Sequence, residues 1–466
     1  MKIGLVFPNK DRRYKTIHLG FGYLVSYARI FHDDLEFVYL DTRTAHKKEI
    51  QRFFSTQFDL IGITCFSPVY YEAISIFDRI KKIMPNTPVC LGGPYTTTIE
   101  EDIFIGTPAE YAVVGEGEIT FSMLLSHLKG NVEISEIDGL MYRDSRGNIV
   151  KNKAREKIKD LDTIPLPAWD IFNMDRYPMH RVIGSRGCPF SCVWCSSSAI
   201  WDYTFRQRSV SSVVDEVDSL IKTYGKKIFV FSDNSFNANI AWLEEFCDAL
   251  IRRKTDILWS VSFRADIITE TVARKMKEAG CFNVSVGIES ANNTILKNIR
   301  KGTTIEKFAA GIKILKDAGI EIMSQYVIGS PGDTIDTICE SIEFAKKSGA
   351  DYSNFYTVLP YRKTPQWDYI IENGSLYTKD IHHFHSINPR IVFDTKDFSY
   401  SDRLKAIHMA KKNGFYSNQD KKSFLFDFAK ETGQKIQQWL PKKAGDRIYL
   451  FLKSIYRMNF IKKNNL

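Results

Sequence analysis

Short apolar runs alternate with longer amphipathic stretches along the first 130 residues. Ile3-Gly-Leu-Val-Phe7, Glu36-Phe-Val-Tyr-Leu40, residues 59–65 and residues 88–91 read as strands, and Tyr71 to Met84 repeats its apolar positions at helical spacing. Strands alternating with helices predict a parallel, doubly wound sheet, since a parallel pair needs a long crossover. Each run ends in small or polar residues: Asp41; Thr64 and Ser67; Gly92-Gly93-Pro94; and Gly115-Glu-Gly-Glu118 after Tyr111-Ala-Val-Val114. In such sheets ligands bind beyond the carboxyl ends of the strands, where glycine admits a close backbone, so a cofactor site is expected at these loops.

The pattern resumes after residue 200. Residues 227–231, 258–262, 283–287, 322–328 and 352–359 are strand-like and separated by helical stretches. Successive βα units of this kind predict a barrel or partial barrel with its site at the carboxyl ends of the strands. Ser232-Asp233-Asn234, Arg264 with Asp266, Glu289 with Ser290, and Gly329-Ser-Pro-Gly-Asp333 all fall there. Between the two halves the chain turns polar and then proline-spaced through Ile164-Pro-Leu-Pro-Ala168, which reads as an extended linker. The expected organisation is α/β: a doubly wound parallel sheet over 1–140, a linker over 141–180, a partial barrel over 181–375 and a helical extension over 376–466.

A length of 466 residues exceeds one ordinary core and agrees with that division. No apolar run reaches the ~18 residues that span a bilayer, and a cytoplasmic location is expected. The net charge of +9 does not by itself imply nucleic acid, and no basic, β-rich RNA-binding domain follows the barrel. The charge is uneven: from Lys435 to Leu466 Asp446 is the sole acid among eight Lys and Arg. That stretch reads as an ordinary terminal helix or as a basic amphipathic helix resting on an anionic membrane.

Cysteine chemistry changes the picture most. Gly184-Ser-Arg-Gly-Cys-Pro-Phe-Ser-Cys-Val-Trp-Cys-Ser196 places Cys188, Cys192 and Cys195 in one short loop. Three thiolates hold three irons of a four-iron cluster and leave the fourth open to bind a small molecule. The alternative is a zinc knuckle, but zinc sites show paired ligands with a fourth at matching spacing, and His180 and Cys247 do not stand at such spacing. Cys65, Cys90, Cys281 and Cys339 read as buried strand residues, and Cys247 lies on an amphipathic helix.

The Cys-x-x-x-Cys-x-x-Cys loop, with Trp194 before its last cysteine, resembles that of the radical S-adenosylmethionine (SAM) superfamily. The glycine-punctuated sheet upstream, roughly residues 1 to 130, resembles the cobalamin-binding domain that precedes many such enzymes. The resemblance implies a [4Fe-4S] cluster on Cys188, Cys192 and Cys195, SAM on the open iron, and cobalamin in a groove lined by Thr64, Ser67, Gly92, Gly93, Gly115 and Glu116. It implies that Asp233 and its neighbours meet the SAM amino group, Arg264 its carboxylate, Glu289 its ribose or amino group, and Gly329 to Pro331 its adenine. The Asp-x-His-x-x-Gly motif of the methionine-synthase kind is missing, as it is in radical SAM relatives, and His18 and His46 read as cap or surface histidines, with either as an axial cobalt ligand the alternative. Tyr203 and Arg362 are candidate catalytic residues near the substrate, with Trp201, Arg206 and Lys363 beside them.

The activity implied is C-methylation: a 5′-deoxyadenosyl radical takes hydrogen from the substrate, which then takes methyl from cobalamin. The alternatives are an oxidative cyclase of the anaerobic tetrapyrrole kind and a non-catalytic cobalamin- or SAM-binding regulator. Expected partners are a small-molecule or lipid-linked substrate and a flavodoxin- or ferredoxin-like electron donor, with no nucleic acid. The basic terminal helix adds a possible membrane contact, and oxygen sensitivity of the cluster implies an anaerobic setting.

Overall fold

The unbroken apolar runs near the amino terminus form strands covered on both faces, as parallel sheets require. A computed structural model describes residues 1–9, 16–378 and 391–415 of the chain. Among the described residues, the first sheet holds β1 (Lys2–Phe7), β2 (Glu36–Asp41), β3 (Leu60–Thr64), β4 (Val89–Gly92), β5 (Tyr111–Val113), β6 (Leu140–Arg143) and β7 (Ile149–Lys151). Their order is β2-β1-β3-β4-β5-β6-β7. The first five are parallel, and β6 and β7 extend the edge as antiparallel strands. That extension carries the sheet past residue 140 to Lys151.

The second sheet is an open partial barrel of parallel strands. It contains β8 (His180–Val182), β11 (Ile228–Phe231), β12 (Leu258–Phe263), β13 (Cys281–Glu289), β14 (Glu321–Ile328) and β15 (Tyr352–Thr357), in the order β15-β14-β13-β12-β11-β8. Between β8 and β11 an antiparallel pair, β9 (Ser185–Gly187) and β10 (Phe205–Gln207), brackets the cysteine loop. Beyond the barrel, β16 (Gly374–Leu376) pairs with β17 (Phe393–Thr395), and the helix Tyr400–Lys412 follows. The basic segment 435–466 lies outside the described residues.

Two features carry no sequence signal, and one expectation is corrected. The first barrel strand, β8, follows the proline-spaced linker and is only His180, Arg181 and Val182, too short for an apolar run to mark it. The pair β9 and β10 holds Ser, Arg, Gly and Gln, with no alternation to read. Cys339 sits not in a strand but on the helix Ile335–Lys347, partly exposed; that helix buries Ile338, Ser341, Ile342 and Ala345, a 3.6-residue repeat that leaves Cys339 off the core face. Cys65, Cys90 and Cys281 are buried.

The lobes are joined by a shared core. Val327, Val358, Leu359, Ile370 and Phe393 pack in one hydrophobic cluster with Tyr70, Phe77, Tyr95 and Phe104 of the first lobe. The linker fastens the opposite side, where the Ala168 N–H donates to the Gly22 carbonyl at 2.9 Å. The carboxyl ends of both sets of strands therefore face a common interior.

Candidate functional site

The cysteine loop leaves β9 at Gly187 and ends where Cys195 caps the helix Ser196–Trp201. It is pinned from two sides: the Val193 N–H donates to the Ile299 carbonyl at 3.1 Å, and the Gln366 N–H donates to the Val193 carbonyl at 3.0 Å. Cys188, Cys192 and Cys195 are free thiols of intermediate exposure. Burial raises all three, Cys195 to about 12, while the cations Lys301 and Arg264 pull Cys188 and Cys192 back down.

A ligand cation is what would hold such thiols as thiolates. Among the described residues no three His, Cys, Asp or Glu side chains converge on a single metal-ion point. A four-iron cluster gives each thiolate its own iron, and three free thiols on one short loop suit it.

Around the loop, the strand-end residues are already engaged. Asp233, after β11, accepts from the Gly184 N–H at 3.1 Å and from Ser185 Oγ at 2.5 Å; burial lifts its carboxyl to about 6. It therefore braces the segment that leads into β9. Arg264, after β12, puts its Nε and Nη2 on Asp266 at 3.0 and 2.6 Å and lies 3.9 Å over the Phe190 ring inside the cysteine loop. Glu289 closes β13 with a left-handed φ of 74° and bonds Lys301 Nζ at 2.9 Å. Gly329 closes β14 at φ 103°, where a Cβ would collide with the Arg403 guanidinium.

Lys301 was not singled out from sequence. Its side chain is 7 % exposed, and its pKa is raised because Glu289 and Cys192 outweigh the cost of burial. In Arg300-Lys301-Gly302 it looks like a solvated turn charge, and no local signal marks it otherwise.

Between the lobes lies a cavity of about 620 Å³. Thr64, Gly92, Gly93, Gly115 and Glu116 line it from the first sheet; Arg186, Gly187 and Trp201 line it from the side of the cysteine loop. Gly93 is required there: its φ is 103° and a Cβ would stand 2.8 Å from Thr64 Oγ1. Ser67 lies outside the lining.

His18 also lines this cavity, as the amino-terminal cap of the helix Leu19–Phe31. It is ringed by Phe7, Phe21 and Phe66, with centroids 4.5–5.6 Å away. His46 caps the helix Lys47–Phe54, its N–H donating to Glu49 at 2.7 Å. Tyr203 and Arg362 stand outside the cavity lining. Tyr203 is 42 % exposed with φ 55°, and Arg362 pairs with Asp102 of the first lobe. Its neighbour Lys363 does line the cavity and bonds Glu100 at 2.5 Å.

Comparison with known proteins agrees with this geometry. The model of the radical SAM superfamily matches residues 182–345, and that of the B12 binding domain matches residues 10–125. The chain is 34 % identical over 424 residues to the uncharacterized methyltransferase PH0819 of Pyrococcus horikoshii, covering 88 % of this chain and 91 % of that one. It is 31 % identical over 319 residues to the anaerobic magnesium-protoporphyrin IX monomethyl ester cyclase of Rubrivivax gelatinosus, covering 65 % of this chain and 57 % of the relative. Among solved structures, the radical SAM methyltransferase TsrM of Kitasatospora setae, with cobalamin and a [4Fe-4S] cluster bound, superposes with a TM-score of 0.69 at 20 % identity, covering 86 % and 84 % of the two chains. The cobalamin-dependent radical enzyme OxsB gives 0.66 at 17 % identity, over 97 % of this chain and 70 % of that one. At these identities the superpositions show a shared fold.

Proposed function

The chain belongs to the cobalamin-dependent radical SAM enzymes, and from that membership we propose that it is a C-methyltransferase acting on an unactivated carbon of a small-molecule or lipid-linked substrate. The observation that carries the reading is the single cavity walled on one side by the glycine-rich strand ends and on the other by Arg186 and Gly187, the two residues before Cys188. A methyl donor and a radical source must both reach one substrate carbon, and a shared interior meets that need.

When bound, the cluster and SAM supply a 5′-deoxyadenosyl radical, and cobalamin supplies the methyl group. The protein's part is placement and electrostatics. Cys188, Cys192 and Cys195 hold the cluster; Arg264 and Lys301 set positive charge beside the thiolates. Asp233 fixes the approach to the loop, and Glu289 and Gly329 close the same rim where SAM binds. Thr64, Gly92, Gly93, Gly115 and Glu116 form the corrinoid wall. A flavodoxin- or ferredoxin-like protein delivers the electron in an anaerobic, cytoplasmic setting. Among the described residues no helix is long and apolar enough to cross a membrane.

The test is anaerobic reconstitution with iron, sulfide, hydroxocobalamin and methyl-labelled SAM. About four irons and one cobalamin per chain, with label passing from SAM to the corrinoid, support methyl transfer. The likeness to the ester cyclase favours a second reading, oxidative ring closure. Deoxyadenosine release without any transfer of label would select it and overturn methylation.

A further inference from the structure

We propose that the buried cluster of Glu116, Glu118, Arg186 and Arg206 is a positioning link through which filling of the corrinoid cavity sets the geometry of the cysteine loop. This rests on the cobalamin reading above. The two acids flank Gly117 at the start of the helix Gly117–Leu128 and line the cavity beside Gly115. The two arginines face each other across β9 and β10, and Gly187 alone separates Arg186 from Cys188.

The contacts cross the lobes. Arg186 donates to Glu116 at 2.7 Å and to Glu118 at 2.5 Å, and Arg206 donates to the second Glu116 oxygen at 2.8 Å. The linker is tied in as well: the Ile158 N–H donates to Glu116 at 2.9 Å, and its carbonyl accepts from Arg206 at 2.5 Å. All four side chains are between 4 and 11 % exposed. Two negative and two positive charges balance, and desolvated ion pairs hold strict geometry because no water is at hand to replace a lost partner. A shift of the Gly115–Glu118 turn therefore moves Arg186, and with it the first residue of the loop.

The cluster is also incompletely satisfied. Nε and Nη2 of Arg206, the edge of the guanidinium that makes two parallel bonds, are buried with no hydrogen-bond partner among the described residues. Elsewhere in this chain that same edge grips a carboxylate, in Arg43 with Asp41 and Arg264 with Asp266. An unmade buried pair of bonds is costly, so any arrangement of the turn that made them would be favoured.

The experiment uses the full chain, reconstituted with its cluster, as wild type, Glu116→Gln and Arg206→Lys. For each, the electron paramagnetic resonance spectrum of the reduced cluster and the rate of deoxyadenosine release from SAM are recorded with and without hydroxocobalamin, alongside a direct cobalamin titration and a thermal melt. The link predicts that cobalamin changes the wild-type release rate by about fivefold or more, the lower range for coupled sites, and shifts the cluster spectrum. It predicts that both variants keep their iron yet lose most of that response. Arg206→Lys retains charge without the two-bond edge, so it tests the link even if Glu116→Gln fails to fold. A wild-type cluster indifferent to bound cobalamin, or variants that respond fully, would overturn the link while leaving the cobalamin reading intact. Absence of cobalamin binding in the wild-type titration would overturn both.

Discussion

His18 and Thr64 share a hydrogen bond of 3.0 Å between Nε2 and Oγ1 at the wall of the interlobe cavity. The other ring nitrogen, Nδ1, accepts from the Phe21 N–H at 3.1 Å. A neutral imidazole has one donor and one acceptor nitrogen, so Nε2 carries the proton and neither nitrogen is open to a metal. Burial, with Arg181 and Arg43 adding to it, lowers the His18 pKa to about 3 and keeps the ring neutral at physiological pH.

The expected consequence is that cobalamin binds without a histidine on cobalt. The cob(II)alamin spectrum of wild type should lack nitrogen hyperfine splitting, and His18→Ala should leave that feature unchanged while weakening cobalamin binding through loss of the Thr64 contact. Splitting in wild type that vanishes in His18→Ala would assign the ligand to His18 instead.

Iron should follow the loop cysteines alone. Alanine at Cys188, Cys192 or Cys195 is expected to abolish stable cluster incorporation, whereas Cys65→Ala and Cys247→Ser, both at buried positions, leave about four irons per chain. Iron analysis of the reconstituted variants checks this. Loss of iron on changing Cys247 would revive a different ligand set.

Much of this was legible because the informative signals are local. The strand β3 lies inside the apolar run that announced it, and β1, β4, β12 and β13 overrun theirs by one or two residues at an end; β1 and β3, covered on both faces, are almost wholly apolar. The cysteine spacing needs no fold to be read. Lys301 and Arg186 were not legible as site residues, because a buried cation is defined by partners distant in sequence: Glu289 is 12 residues away and Glu116 is 70. Arg362 shows the same blindness from the other side, since its partner Asp102 lies 260 residues upstream.

Acid should unfold the chain partly through His180. This residue is fully buried at β8, stands 5.0 Å from the Phe229 ring, and has no partner on either ring nitrogen among the described residues. Burial, then Lys226, lowers its pKa to about 4 from the usual 6.5. The unfolded chain therefore binds the proton first, so stability is fully present above pH 6.5 and falls as pH drops toward 4. The linkage amounts to about 2 kcal/mol at pH 5. His180→Phe should remove this dependence and move the acid-unfolding midpoint to lower pH; an unchanged midpoint would mean that the ring is hydrated in the native state.

The Lys301–Glu289 pair lets stability and cluster electrostatics be separated. Both side chains are under 10 % exposed, so Lys301→Met strands a buried carboxylate and should destabilise by roughly 3–5 kcal/mol, as breaking a buried pair does. Adding Glu289→Gln removes the stranded charge and should recover most of that loss in a thermal melt. The cluster should recover only in part. Lys301 is the cation that most favours the Cys192 thiolate, and positive charge beside a cluster stabilises its reduced, more negative state. The single variant should therefore have a more negative reduction potential than wild type, measured by redox titration, and the double variant, which also removes the Glu289 charge that disfavours the Cys192 thiolate, should return part of the way. An unchanged potential in the single variant would mean that Lys301 acts through the packing of the loop rather than through its charge.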